Sequence, residues 1–435
     1  MDIRELLLSS YSRYFTPASR QMFTELPIPE VTGNPDQQTI MVELPDWAHD
    51  LGVGSPPGIL VPTSCIAEPE KAGWENVDWW RATFLLMTCQ AEQVHETMEG
   101  PAHSYSHKLP DSMVMLWERA WVNRIFLFLR RWVSHRAGLP EFELLGDKPN
   151  GSLHLTHDVD YVSKTLALRL KQSAFTKYNL LRSLLSGNFS RAAGLLPRLI
   201  RFGLGAGDYW QFPVIRELES SYGFSSTWNF YGGVGGFERS APELLLDPSY
   251  RVGDEKIARQ LKALYREGNR IGLHQGFYSW QSSARMQDEK SRLELALGSP
   301  IDSCRQHWLR FSFSDTWKAQ ESAGFQLDST LGFNDRSGFR NSAALRMPAW
   351  INAEQRFSDS LETLPMVLMD SHLFDYGQLE VDARKRVIDY YLDEIAFVGG
   401  EATVIWHHRV FHSDYGWGDD YRYLLDGIAA RNLAT

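Results

Sequence analysis

Cysteine is scarce in this chain. Cys65, Cys89 and Cys304 are the only three in 435 residues, and their odd number and wide spacing exclude a disulfide framework or a zinc knuckle. A reducing compartment fits that usage. Basic excess is also missing: with 44 Lys and Arg against 54 Asp and Glu, the net charge is −10. Nucleic-acid binders normally carry a basic footprint, so no nucleic-acid partner is expected. Long apolar runs are absent as well. The most apolar segment, Ile125 to Leu129, is flanked by Arg124, Arg130 and Arg131 and falls far short of the roughly 20 residues that a bilayer span needs. The first ten residues carry Asp2 and Glu5 and lack the basic start and apolar run of a secretory leader, so a cytoplasmic protein is expected.

What is present suits a large soluble core. Hydrophobic residues make up 43% and charged residues 23% of the chain, the balance of a globular protein. The length exceeds one ordinary domain but accommodates a barrel of about 250 residues with a smaller partner. Residues 1–147 read as that partner, an N-terminal α+β domain of unassigned role. Pro and Gly punctuate it early, and helical patterns follow over Val77 to Glu99 and Met113 to Arg136, ending at Gly100-Pro101 and Gly138. The polar stretch Gly146 to Gly151 reads as a linker.

From residue 148 to 435 short strands alternate with helices. Strand patterns occupy Leu153 to Asp158, Phe224 to Tyr231, Ile271 to His274, Ser303 to Gln306, Phe325 to Asp328, Leu364 to Asp370 and Thr403 to His407. Helical patterns lie between them, over Tyr209 to Tyr222, Asp254 to Glu267, Asp288 to Leu297, Asp315 to Ala323 and Gln378 to Val398, with a last one over Asp419 to Ala430. Alternation of this kind implies parallel pairing. The fold class expected is therefore α/β, a distorted (β/α) barrel of about seven strands. A barrel of that type gathers its active site at the carboxyl ends of its strands. One insertion, 161–207, holds eight Lys and Arg and no Asp or Glu. It reads as a pair of solvated helices, or as a basic face toward an anionic substrate or a membrane surface.

Chemistry-bearing residues fall at those strand ends. In Thr156-His157-Asp158-Val159-Asp160 side chains alternate, so Asp158 and Asp160 share one face and His157 takes the other. Two adjacent carboxylates repel unless a cation stands between them. His274 closes a later strand and brings an imidazole, the commonest neutral metal ligand. Arg305 in Arg305-Gln306-His307 can hold a carboxylate in a fixed orientation, and His407 in Trp406-His407-His408 can protonate a leaving group. Trp280, Trp308, Phe311, Phe333, Trp406 and Trp417 lie beside these motifs, where flat rings can stack on sugar faces.

The order and content of these motifs resemble the polysaccharide deacetylase family (carbohydrate esterase family 4), and within it a divergent cytoplasmic subgroup with T-H-D-V-D and R-Q-H-x-L-R segments. The resemblance spans residues 150 to 432 or so. It implies a divalent metal, usually zinc, and removal of an acyl group from an amino sugar. By the same resemblance Asp158 matches the catalytic base, Asp160 and His274 metal ligands, Arg305 the group orienting the base, His407 the general acid and Asp328 the region orienting that acid. Tyr278 stands where the family has a second metal-binding histidine. His307 is the candidate replacement, with His157 left open as another. Gly338-Phe339-Arg340 and Met369-Asp370-Ser371-His372 resemble further segments of the subgroup without an assigned role.

Two functions are thus in view. One is a metal-dependent hydrolase removing an N- or O-acyl group, acetyl above all, from a sugar in surface polysaccharide biosynthesis. Its partner would be an acylated sugar or polysaccharide precursor, lipid-linked or nucleotide-linked, with peripheral membrane contact through 161–207. The other is an inactive carbohydrate-binding or regulatory protein on the same barrel, a reading that Tyr278 favours.

Overall fold

The computed structural model describes residues 3–10, 13–68, 70, 73–187, 189–203, 207–234 and 239–435. The fold is mixed α/β, and its parallel strands are those expected of a β/α barrel. The chain divides into two compact units, one made of Met1–His154, Trp308–Val404 and Ala430–Thr435, the other of Leu155–His307 and Ile405–Ala429. Among the described residues no helix is long and apolar enough to cross a membrane.

In the first unit β1 (Thr39–Glu43) and β2 (Gly58–Pro62) pair antiparallel, with Met41 opposite Leu60. The single helix expected over Val77 to Glu99 is instead two, Trp79–Met87 and Gln90–Glu99, separated by Cys89 in a left-handed conformation (φ 56°). Thr88 Oγ1 donates to Phe84 O (2.6 Å) and Gln93 Nε2 donates to Thr88 O (2.6 Å). Such side-chain bonds to the backbone compete with helix continuation. The second expected helix begins as a 3₁₀ turn, Asp111–Trp117, and becomes α-helical only over Trp121–Ala137, stopping at Gly138 as expected.

The second unit begins within β3 (Ser152–Val159) and continues with β4 (Ser226–Tyr231), β5 (Arg270–Gln275) and β6 (Ser303–Gln306). These pair in parallel in that order. The helices Phe212–Tyr222, Glu255–Arg266 and Ser283–Leu297 precede β4, β5 and β6. The strands are buried along nearly all their length, as parallel strands covered on both faces must be. Residues 405–407 run beside β3, where Trp406 N donates to Thr156 O at 3.0 Å.

The chain then returns to the first unit through β7 (Leu327–Asp328), β8 (Met347–Ile351), β9 (Arg356–Thr363), β10 (Met366–Met369) and β11 (Glu401–Ile405). β7 pairs parallel with β9, and β8 and β9 form an antiparallel pair with a register shift between Pro348 and Trp350. Two buried ion pairs join the N-terminal residues to this later segment. Arg124 meets Glu394 through Nε–Oε1 (2.8 Å) and Nη2–Oε2 (2.6 Å). Arg340 meets Glu92 (Nε–Oε2, 3.1 Å) and also donates to Gly332 O (2.9 Å) and Ser104 Oγ (2.8 Å).

His372 closes a third buried contact. Its Nδ1 accepts from Met369 N–H (3.1 Å), and its Nε2 donates to Phe333 O (2.8 Å). That pattern fits only the neutral ring, and burial pushes the pKa down to about 4, against an ordinary value of 6.5. The unfolded chain therefore binds this proton more readily than the folded one. The stabilisation is complete above pH 6.5 and is lost as the pH falls toward 4, by up to roughly 3 kcal/mol. In His372→Gln that part of the acid sensitivity should vanish, measured as a smaller drop in melting temperature between neutral and mildly acidic buffer than in the parent chain.

Candidate metal and catalytic site

The carboxyl ends of β3, β5 and β6 bring the expected residues together inside the second unit. Register sets two rows across the strands. Asp158 lies opposite Asn229 and Asn229 opposite Gly272; Tyr231 lies opposite His274 and His274 opposite Arg305. Asp158 Oδ1 accepts from Asn229 Nδ2 (2.8 Å) and from Arg305 Nη1 (3.1 Å), and the same Arg305 nitrogen reaches Thr156 Oγ1 at 2.5 Å. The row needs a glycine: a Cβ at residue 272 would stand 2.3 Å from Asn229 Oδ1.

Asp160 is the hub. Its Oδ1 lies 3.2 Å from His274 Nε2 and 3.6 Å from His307 Nε2, and its Oδ2 lies 3.6 Å from His407 Nε2 and pairs with Arg409 Nη1. Asp160, His274 and His307 are buried, and one donor atom from each lies within 4.8 Å of the others. The imidazoles of His274 and His307 stand 4.8 Å apart, centroid to centroid. Asp247 Oδ1 receives His307 Nδ1 at 2.9 Å and the Phe277 N–H at 2.8 Å. This carboxylate holds the His307 ring with Nε2 toward Asp160, the arrangement that metal-binding histidines usually show.

The charges explain each titration. Burial opposes ionisation of Asp158, but Arg305 and then His274 outweigh it, so its carboxyl sits below the usual carboxylate value. Burial likewise opposes Asp160, and Arg409 and His274 more than reverse it, leaving that group well below its ordinary value. His274 is driven down by burial but raised overall by Asp158 and Asp160, whereas burial dominates at His307 and keeps it neutral despite Asp247. The pocket thus attracts positive charge at His274 and offers a neutral imidazole at His307. Asp160 Oδ1 is buried and faces Nε2 of His274 at 3.2 Å and of His307 at 3.6 Å without a well-aligned hydrogen bond. Buried polar atoms in that state are costly, and a divalent cation is a partner that a carboxylate and two imidazoles fit.

Of the residues singled out from the sequence, Asp158, Asp160, His274, Arg305, His307 and His407 meet here. His157 does not. It points to the other face, with Nδ1 2.6 Å from Trp406 O and Nε2 2.7 Å from Glu219 Oε1, as strand alternation requires. Tyr278 is 37% exposed while the Asp-His-His group is buried. Asp328 belongs to the first unit, where its carboxylate accepts from Trp317 Nε1 (3.1 Å), Gln320 Nε2 (2.9 Å) and Thr330 N (3.1 Å). The expectation of sugar-stacking rings is corrected for five of the six: Trp280, Phe311, Phe333, Trp406 and Trp417 are buried in core packing, with Trp406 against Tyr421 at 5.3 Å.

Three residues escaped the sequence reading. Asn229 had a signal, a lone amide inside the apolar run Trp228-Asn229-Phe230. Arg409 follows His407 by two residues and was readable as a cation near the site. Asp247 sits in a loop before Pro248 with no pattern to mark it.

No family model and no curated protein matches the chain. Sixteen chains of solved structures do. One, from Mycobacterium smegmatis and assigned to the polysaccharide deacetylases, is 13% identical, with a TM-score of 0.38 over 65% of this chain and 85% of that one. A family 4 carbohydrate esterase from Streptomyces lividans, solved with acetate, is 10% identical, with a TM-score of 0.32 over 66% and 92%. A family 4 pseudoenzyme from Bacillus anthracis is also 10% identical, with a TM-score of 0.29 over 66% and 63%. At such identities and scores the site has to be read from its own side chains.

Two substitutions test the assignment of inner and outer partners. Asp247→Ala should weaken divalent-metal binding about 10- to 100-fold by freeing the His307 ring, measured by competition with a chromogenic chelator. His157→Phe should lower the melting temperature, because it leaves Glu219 buried without that partner, yet leave metal binding unchanged.

Proposed function

We propose that this chain is a metal-dependent hydrolase that removes an acyl group, acetyl above all, from a sugar used in surface polysaccharide biosynthesis. The observation that carries the reading is the meeting of Asp160, His274 and His307 beside an Asp158 gripped by Arg305. Asp160, His274 and His307 would hold the ion, and one carboxylate with two imidazoles suits zinc. When bound, such an ion polarises an acyl carbonyl and makes a nearby water more acidic.

The remaining chemistry belongs to the side chains. Asp158 is ionised at neutral pH and is held in one orientation by Asn229 and Arg305. It takes the proton of the water that adds to the acyl carbon. As the bond from that carbon to the sugar nitrogen or oxygen breaks, His407 gives its proton to the departing group. His407 is suited to this by position, 3.6 Å from Asp160 Oδ2 with its side chain 11% exposed. Arg305 binds Asp158 rather than substrate and acts as a positioning residue. The substrate class is an acylated sugar precursor carried on a lipid or a nucleotide.

A second reading has an observation of its own. Arg409 supplies Asp160 with a permanent cation, so the carboxylate has a counter-charge without any ion, as a carbohydrate-binding protein that has lost catalysis would need. Metal analysis separates the two. The hydrolase reading expects about one equivalent of zinc after reconstitution, lost in Asp160→Ala and in His274→Ala; a chain that takes up no divalent ion under any condition supports the binder. In the metal-loaded protein, Asp158→Asn should lower kcat for an acetylated amino sugar by at least about 100-fold, with metal content retained.

A further inference from the structure

The basic segment between β3 and β4 folds as two helices, Leu166–Leu185 and Phe189–Gly203, and the first of them is turned inside out. Leu166, Leu170, Tyr178, Leu181 and Leu185 are between 56% and 80% exposed. At 100° per residue they fall within an arc of about 120°. On the opposite side Gln172, Thr176, Asn179 and Ser183 are buried, none more than 6% exposed. A helix in water normally has the reverse arrangement. The second helix repeats the feature with Phe189, Leu196 and Ile200, spaced i, i+7, i+11, all strongly exposed. Apolar surface in such a continuous stripe marks a docking face.

Charge selects the occupant. Residues 161–207 hold eight Lys and Arg and no Asp or Glu in a chain whose net charge is −10. Lys177 and Arg182 are both exposed on the first helix, Lys177 within the apolar arc and Arg182 at its margin. The side chains of Lys171, Arg191, Arg198 and Arg201 lie outside the described residues. Apolar side chains bordered by cations, with anions excluded throughout, match the boundary layer of a bilayer containing anionic lipid. A second copy of this chain meeting it face to face would set like charges against each other.

The hairpin is rooted beside the catalytic loop. Lys164 Nζ and Tyr209 OH, at its two ends, both reach Asp414 Oδ2, at 2.9 and 2.8 Å, and Phe202 packs on Tyr415 at 4.9 Å. Asp414 and Tyr415 follow Arg409, the partner of Asp160, by five and six residues.

We infer that this hairpin docks the protein on the surface of an anionic membrane, its apolar stripe entering the headgroup boundary. The docked chain presents its second unit to that surface, and on the hydrolase reading above this selects a lipid-linked acylated sugar over a nucleotide-linked one.

Co-sedimentation of the purified full-length protein with phosphatidylcholine vesicles, with and without phosphatidylglycerol, tests the docking without any assay of hydrolysis. The protein should partition onto vesicles containing phosphatidylglycerol and release at high salt. The triple variant Leu170→Ser, Leu181→Ser, Leu185→Ser should reduce partition by about tenfold or more, and Lys177→Glu with Arg182→Glu should remove the dependence on phosphatidylglycerol. Asp160→Ala should bind vesicles like the parent, so a failed hydrolase reading leaves this result standing. No partition of the parent, unchanged partition of the triple variant, or conversion of a dimer to a monomer by that variant on size-exclusion chromatography would each overturn the proposal, the last by assigning the face to a second copy.

Discussion

A buried carboxylate that must be met by compensating partners organises the second unit. Asp160 is 5% exposed, and an uncompensated anion in that position would cost several kcal/mol. His274 from β5, His307 from the end of β6, and His407 and Arg409 from the segment beside β3 converge on it. Each of those segments is thereby held at one register relative to Asp160. The neighbouring row has the same logic on a smaller scale: Gly272 exists where a side chain would strike Asn229, and Asn229 adds a second hydrogen bond to the Asp158 oxygen that Arg305 holds.

Much of this arrangement was readable in advance because it follows from period and burial. The alternation in His157-Asp158-Val159-Asp160 put the aspartates on one face and His157 on the other, and the geometry agrees. The alternation of short strand and helix patterns marks β3 to β6 within two residues of their ends, even though Ser303-Cys304-Arg305-Gln306 is not an apolar run. What stayed hidden depends on distance in sequence. Asp247 reaches His307 across 60 residues from a loop with no periodicity. The β8–β9 pair carries no tight-turn signature between its strands. The break at Cys89 arises from two side-chain bonds to the backbone that a hydrophobic pattern does not encode. The aromatic residues misled for the opposite reason: large rings near polar motifs are as useful to the core as to a sugar, and the core holds them.

The segments singled out from the sequence divide by what they touch. Asp158, His274 and Arg305 gather around Asp160, whereas Arg340 and His372 clamp distant backbone. Arg340 joins Glu92 to the Gly332 carbonyl, and His372 joins the Phe333 carbonyl to the Met369 amide. Both tie the stretch around residues 332–333 to more distant chain within the first unit. Gly338-Phe339-Arg340 and Met369-Asp370-Ser371-His372 thus have a backbone-clamping task of their own.

The path of the chain sets a timetable for synthesis. The Asp-His-His group is encoded in full by residue 307, but the guanidinium that balances Asp160 and the His407 imidazole beside it arrive at residues 409 and 407, after about a hundred further residues have been made. Until those residues are made, Asp160 lacks the permanent cation that pairs with it in the finished chain.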